Sequence, residues 1–176
     1  MADNEYKSSK IGIIGAGTIG IGIARLASAN GHRVLLYDSY PDQLGDAKHR
    51  LRKGLQKQVT EGYIGQQQVN ELIDRIRFSD DLTKFGKCNF VIEVVTEDVE
   101  IKKDALKRAE AIIPRNCLLA TTTSTLSIAD LSSVLKRPGR FAGLRFFTSC
   151  VPRTACRGYP GPAHSMKKRL IKLWIC

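Results

Sequence analysis

From residue 10 to residue 147 the chain alternates short apolar runs with longer amphipathic stretches. Residues 11–14 (IGII) are too short for a helix and are bounded by glycine, which predicts a buried strand. Residues 21–29 predict a helix, and residues 34–37 (VLLY) a second strand. Residues 40–62 are polar and helical, with Pro41 near their start and an apolar stripe at Leu44, Leu51, Leu55 and Val59. After a short turn at 63–65, a second helix is predicted over 66–77, with Val69, Leu72, Ile73 and Ile76 on one face. Two helices joined by so short a turn form a helical hairpin, which is more than a bare strand–helix–strand crossover needs. Residues 80–85 predict a short connection or helix. Further strands are predicted at 89–95, 118–122 and 141–147. Helices are predicted at 99–113, with Ile101, Ala105 and Ala109 inward, and at 127–135. Strands alternating with helices define an α/β fold with a parallel, doubly wound sheet of the Rossmann type, here with a helical-hairpin insertion.

The first strand runs directly into Gly15, Ala16, Gly17, Thr18, Ile19 and Gly20, the G-x-G-x-x-G spacing. Gly15 allows a tight turn, Gly17 lets a pyrophosphate approach the backbone, and Gly20 lets helix and strand pack closely. The helix N-terminus offers free N–H groups and the positive end of a dipole to phosphates. A glycine pattern alone is weak evidence; its context strengthens it. The second strand ends at Asp38, about 20 residues beyond the glycines, where a carboxylate takes the two ribose hydroxyls of NAD. Without the glycines, Asp38 would read as a helix N-cap or turn residue.

The chain has 176 residues, enough for one domain with a real core. No apolar run approaches a membrane span. The first residues, MADNE, carry acids and no apolar segment, unlike a secretory signal or an Arg-rich transit peptide. These features make a cytoplasmic location the expectation, with no membrane partner. Five cysteines in no C-x-x-C spacing, and histidines in no ligand spacing, offer no zinc or redox motif. Cys88 and Cys117 adjoin apolar runs and read as small core residues. The net charge of +11 invites a nucleic-acid reading, which its distribution opposes. Arg153, Arg157, Lys167, Lys168, Arg169 and Lys172 follow residue 150, and no acid does. The excess therefore belongs largely to a tail with few aromatics and no regular basic face. The mildly basic remainder suits a phosphorylated cofactor or an acyl-CoA, not nucleic acid.

Four stretches together resemble the N-terminal domain of the 3-hydroxyacyl-CoA dehydrogenase family, which includes 3-hydroxybutyryl-CoA dehydrogenases. They are IGIIGAGTIG at 11–20, VIEVVTED at 91–98, TTSTLS at 122–127 and RFAGLRFF at 140–147. The resemblance implies an NAD-dependent oxidoreductase of fatty acid or butanoate metabolism acting on the L-3-hydroxyl of an acyl-CoA. It also implies that the hairpin is a helical arm near the CoA site. Carried over by position, Gly15, Gly17, Thr18, Ile19, Gly20 and Asp38 hold the cofactor, and Glu97 and Lys102 stand near its nicotinamide end. Ser124 hydrogen-bonds the substrate hydroxyl. On spacing alone, Lys102 reads as a solvated helix residue and Ser124 as a cap or turn residue.

The departures from the family pattern fall at the chemistry. The motif after the Gly-Leu pair is His-Phe-Phe-Asn-Pro in the family, whereas this chain has Arg145, Phe146, Phe147, Thr148 and Ser149. The family's His is the general base that takes the hydroxyl proton as hydride leaves for nicotinamide. A guanidinium cannot give up its proton in this range. The Glu that orients the His belongs on the next strand, yet no acid follows Asp130. The family's second, all-helical domain, which carries dimer contacts and part of the acyl site, has no counterpart in these residues.

The resulting expectation is a terminal segment at 1–9, an NAD-binding domain at 10–150 and a non-family basic tail at 151–176. The domain is expected to bind NAD and to be catalytically impaired. The alternatives are a non-enzymatic NAD-binding module and, less in keeping with the charge distribution, a basic-tailed binding protein. Residues 153–162 and 166–176 can be back-translated so that shifted frames spell family-like segments. The tail is therefore expected to be frameshifted or mis-joined, to pack poorly, and to leave a sheet edge uncovered.

Overall fold

A computed structural model describes residues 9–147 and 155–160. Its elements, in chain order, begin with β1 (Lys10–Ile14), α1 (Thr18–Ala29) and β2 (Arg33–Tyr37). The hairpin follows as α2 (Pro41–Thr60) and α3 (Gln66–Asp74), then β3 (Ile76–Ser79) and a 3-10 helix at Leu82–Lys87. The second half comprises β4 (Phe90–Glu93), α4 (Val99–Ile112), β5 (Leu118–Thr121), α5 (Ile128–Ser132), β6 (Phe141–Phe147) and β7 (Ala155–Pro160).

The seven strands form one sheet in the order β3-β2-β1-β4-β5-β6-β7. The first six run parallel, and β7 runs antiparallel to β6. Alternate residues of each strand feed opposite faces. Ile11, Ile13, Val34, Leu36, Phe90 and Ile92 pack with α1, α2 and α3 on one side. Ile14, Leu35, Tyr37, Val91 and Leu119 pack with α4 and α5 on the other. Both faces are covered, so the strands read as continuous apolar runs. The chain order reverses between β1 and β4, which opens a crevice beyond their carboxyl ends, where sheets of this kind bind ligands.

The structure corrects several expectations. The helix predicted over 66–77 ends at Asp74, and Ile76–Ser79 is a strand. β2 is buried on both faces and needs a neighbour, and Ile76 to Ser79 pair with Val34 to Tyr37. A helix there would have left that ladder unmade. Helix α1 starts within the glycine turn, at Thr18 rather than residue 21. The helix predicted over 127–135 is shorter, and Ser127 caps it by accepting from the Asp130 N–H at 3.2 Å.

Helix α4 keeps Ala109 inward and Ala105 partly so, and departs from its predicted facing at Ile101. Ile101 is 49% exposed, whereas Lys102, Leu106, Ala109 and Glu110 are buried. The inward stripe keeps helical spacing but includes a lysine, because two glutamates satisfy its ammonium inside. Finally, the edge of β6 is not left uncovered, because Ala155–Pro160 pairs along it. The rest of the tail lies outside the described residues.

Candidate functional site

The glycine turn is held by sterics and by backbone hydrogen bonds. Gly15 has φ +113°, and a Cβ there would lie 2.6 Å from the Val94 carbonyl oxygen. A Cβ on Gly20 would lie 2.0 Å from the Gly15 carbonyl oxygen, so α1 can pack this tightly only on glycine. A Cβ on Gly17 would meet nothing within 4 Å. Its missing side chain therefore leaves room beside the backbone. Gly17 is also the N-cap of α1 and supplies no side-chain cap, so the first turn keeps its N–H groups for a ligand.

Asp38 closes this end of the crevice. Its Oδ2 accepts from the Ala16 N–H at 2.8 Å and its Oδ1 from the Tyr40 N–H at 3.1 Å. The carboxylate thus fixes the glycine turn, as the cap-or-turn reading has it, and borders a small cavity of about 100 Å³. Ile14, Tyr37, Ile101, Ala105 and Arg108 also line that cavity. The exposed face of Ile101 is therefore a wall of the site. Arg50 donates to the Ala16 carbonyl from α2 at 3.2 Å. Arg33, at the opposite end of β2 from Asp38, lines a different groove.

Beyond β4 and β5 the site is made of side chains. Glu93 ends β4 fully buried, and Lys102 is 1% exposed. The Lys102 ammonium donates to Glu93 Oε1 at 2.9 Å and to the Val95 carbonyl at 3.1 Å, and it pairs with Glu97 Oε2 at 3.3 Å. Three partners match its three N–H donors. Glu93 Oε1 also accepts from the Val95 N–H at 2.7 Å, and Oε2 from the Thr121 hydroxyl at 2.6 Å. Glu97 Oε1 accepts from the hydroxyls of Thr123 and Thr125 and from the N–H groups of Ser124 and Thr125.

Burial pushes the Glu93 carboxyl up, against the Lys102 charge and the hydrogen bonds. For Glu97, partial burial raises the carboxyl, but the bonds from Thr123, Thr125 and Ser124, with Lys102, outweigh it and hold it at about 2. The reading of Lys102 as a solvated residue is overturned: its ammonium is the buried hub between two carboxylates.

Ser124 is exposed at the end of this loop, and its carbonyl accepts from Arg145 Nη2 at 2.8 Å. The guanidinium at the position of the family's base is thus brought to the residue expected to hold the substrate hydroxyl. Thr148 lies outside the described residues. Sequence reasoning missed Glu93, Thr121 and Thr123. A signal for Glu93 was present: an acid inside the apolar run FVIEVV must find a buried partner. It also missed Arg108, a cation beside the Asp38 cavity, which pairs with Asp104 at 3.5 Å. Among the described residues no cluster of His, Cys, Asp and Glu could hold a metal, and no helix is long and apolar enough to cross a membrane.

A parallel sheet in this order, a glycine turn before an uncapped helix and an acid closing β2 define a dinucleotide-binding domain of the Rossmann type. Residues 10–152 match the family model described as 3-hydroxyacyl-CoA dehydrogenase, NAD binding domain, and the chain belongs to that family. It is similar to the 3-hydroxyadipyl-CoA dehydrogenase of Escherichia coli (strain K12), at 34% identity over 137 residues, covering 78% of this chain and 29% of the relative. It is also similar to a probable 3-hydroxybutyryl-CoA dehydrogenase of Deinococcus radiodurans, at 34% identity over 137 residues, covering 78% and 49%.

Among solved structures, the (S)-3-hydroxybutyryl-CoA dehydrogenase of Ralstonia eutropha superposes with a TM-score of 0.89 at 25% identity, covering 94% of this chain and 59% of that one. The 3-hydroxybutyryl-CoA dehydrogenase of Escherichia coli K12 gives 0.89 at 30% identity, covering 94% and 36%. The chain spans about half or less of the length of these two curated relatives.

Proposed function

We propose that the chain binds NAD across the crevice and oxidises 3-hydroxyacyl-CoA thioesters far more slowly than family members that carry the base. The glycine turn and the first turn of α1 hold the pyrophosphate, Asp38 the adenosine ribose, and Glu97, braced by Lys102, the nicotinamide end. Ser124 faces the substrate hydroxyl. The bound nicotinamide supplies a hydride acceptor; the protein must supply a place for the proton. The observation that carries the reading is Arg145, which donates to the Ser124 carbonyl at 2.8 Å; a guanidinium offers donors and no acceptor, so it cannot take the proton as the family's imidazole would. Loss of a general base removes about 10²–10⁴-fold in rate.

The test is NADH formation from 3-hydroxybutyryl-CoA by the purified chain, alongside titrations with NAD and NADP. A rate within about tenfold of a family enzyme with the His would overturn the proposed impairment. Arg145→His alone is expected not to restore turnover, because the next strand, Ala155–Pro160, carries no acid to orient the imidazole. Asp38 should favour NAD over NADP, since a 2′-phosphate would meet its carboxylate. Tighter NADP binding would overturn that choice and point to Arg108 as the phosphate's partner.

The same guanidinium favours a second reading, an NAD-binding module without catalysis, which NAD binding with no detectable turnover would support. We also propose that the NAD-binding domain ends near residue 150 and that residues 151–176 are a mis-joined segment. In-frame coding DNA whose shifted frames give no dehydrogenase-like sequence would sink the latter.

A further inference from the structure

The mechanism above uses Glu97 and Ser124 but leaves unexplained why a carboxylate and an ammonium are buried behind them. Taking Glu93 and Lys102 out of water is costly, and replacing such a pair with apolar residues is often neutral or stabilising. Stability alone therefore does not account for it. The connections suggest a reason. Glu93 is fully buried, and each of its three hydrogen-bond partners is a donor: the Lys102 ammonium, the Val95 N–H and the Thr121 hydroxyl. The Thr121 hydroxyl can accept as well as donate, but the ammonium and the N–H gathered on Oε1 favour the carboxylate. Lys102 spends its remaining donors on the Val95 carbonyl and Glu97. With an exposure of 1% and no spare donor, it meets a ligand only through Glu97. Glu97 in turn gathers Thr123, Ser124 and Thr125. One chain of contacts thus runs from the ends of β4 and β5, through α4, to the loop that carries Ser124.

We propose that Glu93 is a positioning residue for the nicotinamide end of the cofactor, fixing Lys102 and, through it, the Glu97 carboxylate and the 123–125 loop. This rests on the cofactor placement proposed above. The role is electrostatic as well as geometric. With the Lys102 ammonium and the Arg145 guanidinium also beside the site, the Glu93 carboxylate supplies the negative charge that keeps it from being net positive. That charge favours the oxidised nicotinamide, which is cationic, over the neutral reduced ring. A residue that merely held the fold would affect both ligands alike.

The experiment compares the full chain with Glu93→Gln, which keeps the shape and removes the charge. Binding of NAD⁺, NADH and ADP-ribose is measured by calorimetry, beside thermal unfolding without ligand. NAD⁺ affinity is expected to fall about tenfold, the scale of one misaligned charged hydrogen bond. The fall for NADH is expected to be smaller, and ADP-ribose, which lacks the nicotinamide, is expected to bind unchanged. Equal losses for NAD⁺ and ADP-ribose, equal losses for NAD⁺ and NADH, or no loss at all overturns the inference. If Glu93→Gln shows no cooperative melt, Thr121→Val replaces it, removing the hydroxyl on Oε2 and leaving the charge; NAD⁺ and NADH affinities are then both expected to fall with ADP-ribose unchanged, and an equal loss for ADP-ribose or no loss at all overturns the inference. An unaltered chain that binds neither NAD⁺ nor ADP-ribose overturns the cofactor placement and this inference with it. One that binds both, alongside a variant indistinguishable from it, overturns this inference alone.

Discussion

At the glycine-turn end of the crevice the contacts are made by backbone. Gly15 and Gly20 set the path by having no Cβ, Gly17 leaves the approach open, and the carboxylate of Asp38 is spent on main-chain N–H groups. At the other end, beyond β4 and β5, the contacts are made by side chains: Glu93, Lys102, Glu97, Thr121 and Thr123 bond chiefly to one another. The first end is specified by spacing along one short segment. The second exists only when β4, α4, β5 and the following loop are all in place. A backbone-built site should be brittle to small steric changes and indifferent to charge, and a side-chain-built site the reverse.

The sharpest way to break that contrast is Lys102→Met. It leaves Glu93 buried without its countercharge and should cost about 3–5 kcal/mol of stability. Denaturant unfolding measures this, and an unchanged midpoint would mean that the network is incidental. Next is Gly20→Ala, where the new methyl lies 2.0 Å from a backbone oxygen that cannot swing aside. A loss of about 1–3 kcal/mol, with NAD binding lost, is expected; full binding at unchanged stability would show that the turn is softer than its packing indicates.

Gly17→Ala sharpens the comparison from the other side. Its φ of −69° suits alanine and the space is open, so stability should change by less than about 1 kcal/mol. NAD affinity should nevertheless fall, because the methyl would stand in the open space proposed for the pyrophosphate. Unchanged affinity would place the phosphates elsewhere.

The smallest effect is in the acid limb of stability. Glu97 titrates near 2 in the folded chain against an ordinary value of 4.5. It therefore contributes stability above the ordinary value that is lost as pH falls toward 2. With 39% of its side chain exposed, the contribution should be below about 1 kcal/mol. Glu93, shifted upward, acts with the opposite sign: its contribution is present at low pH and lost as pH rises through its folded value. Glu97→Gln should flatten the acid limb, and an unaltered slope in acid unfolding would remove Glu97 from it.

The same contrast explains what could be read from the chain. The strand–glycine–helix–strand–acid order of residues 11–38 is local, so its spacing was enough to predict its geometry. Strand β3 was hidden because Ile76 continues the helical spacing of Val69, Leu72 and Ile73, and no glycine or proline marks the break at Arg75. Only the need of β2 for a partner on its open edge decides that Ile76–Ser79 extends. The burial of Lys102 in place of Ile101 was missed for a related reason. A pattern reading places Ile101 inside and Lys102 outside, and it takes a glutamate nine positions earlier in the chain to reverse them. Ser124 and Glu97 were reached through family resemblance, and the contacts that join them were not visible in any single segment.

The placement of β3 has a consequence for how this architecture can vary. β2 and β3 are neighbours in the sheet, and residues 38–75 leave from the end of one and return to the start of the other. A parallel crossover of this kind needs only a dozen or so residues to close. The hairpin is thus a cassette bracketed by two adjacent strands on one flank. It can lengthen, shorten or be exchanged while β1, β4, β5 and β6 keep their register. Variation introduced there, beyond Asp38 and away from Arg50 with its bond to the Ala16 carbonyl, would be inherited independently of the glycine turn.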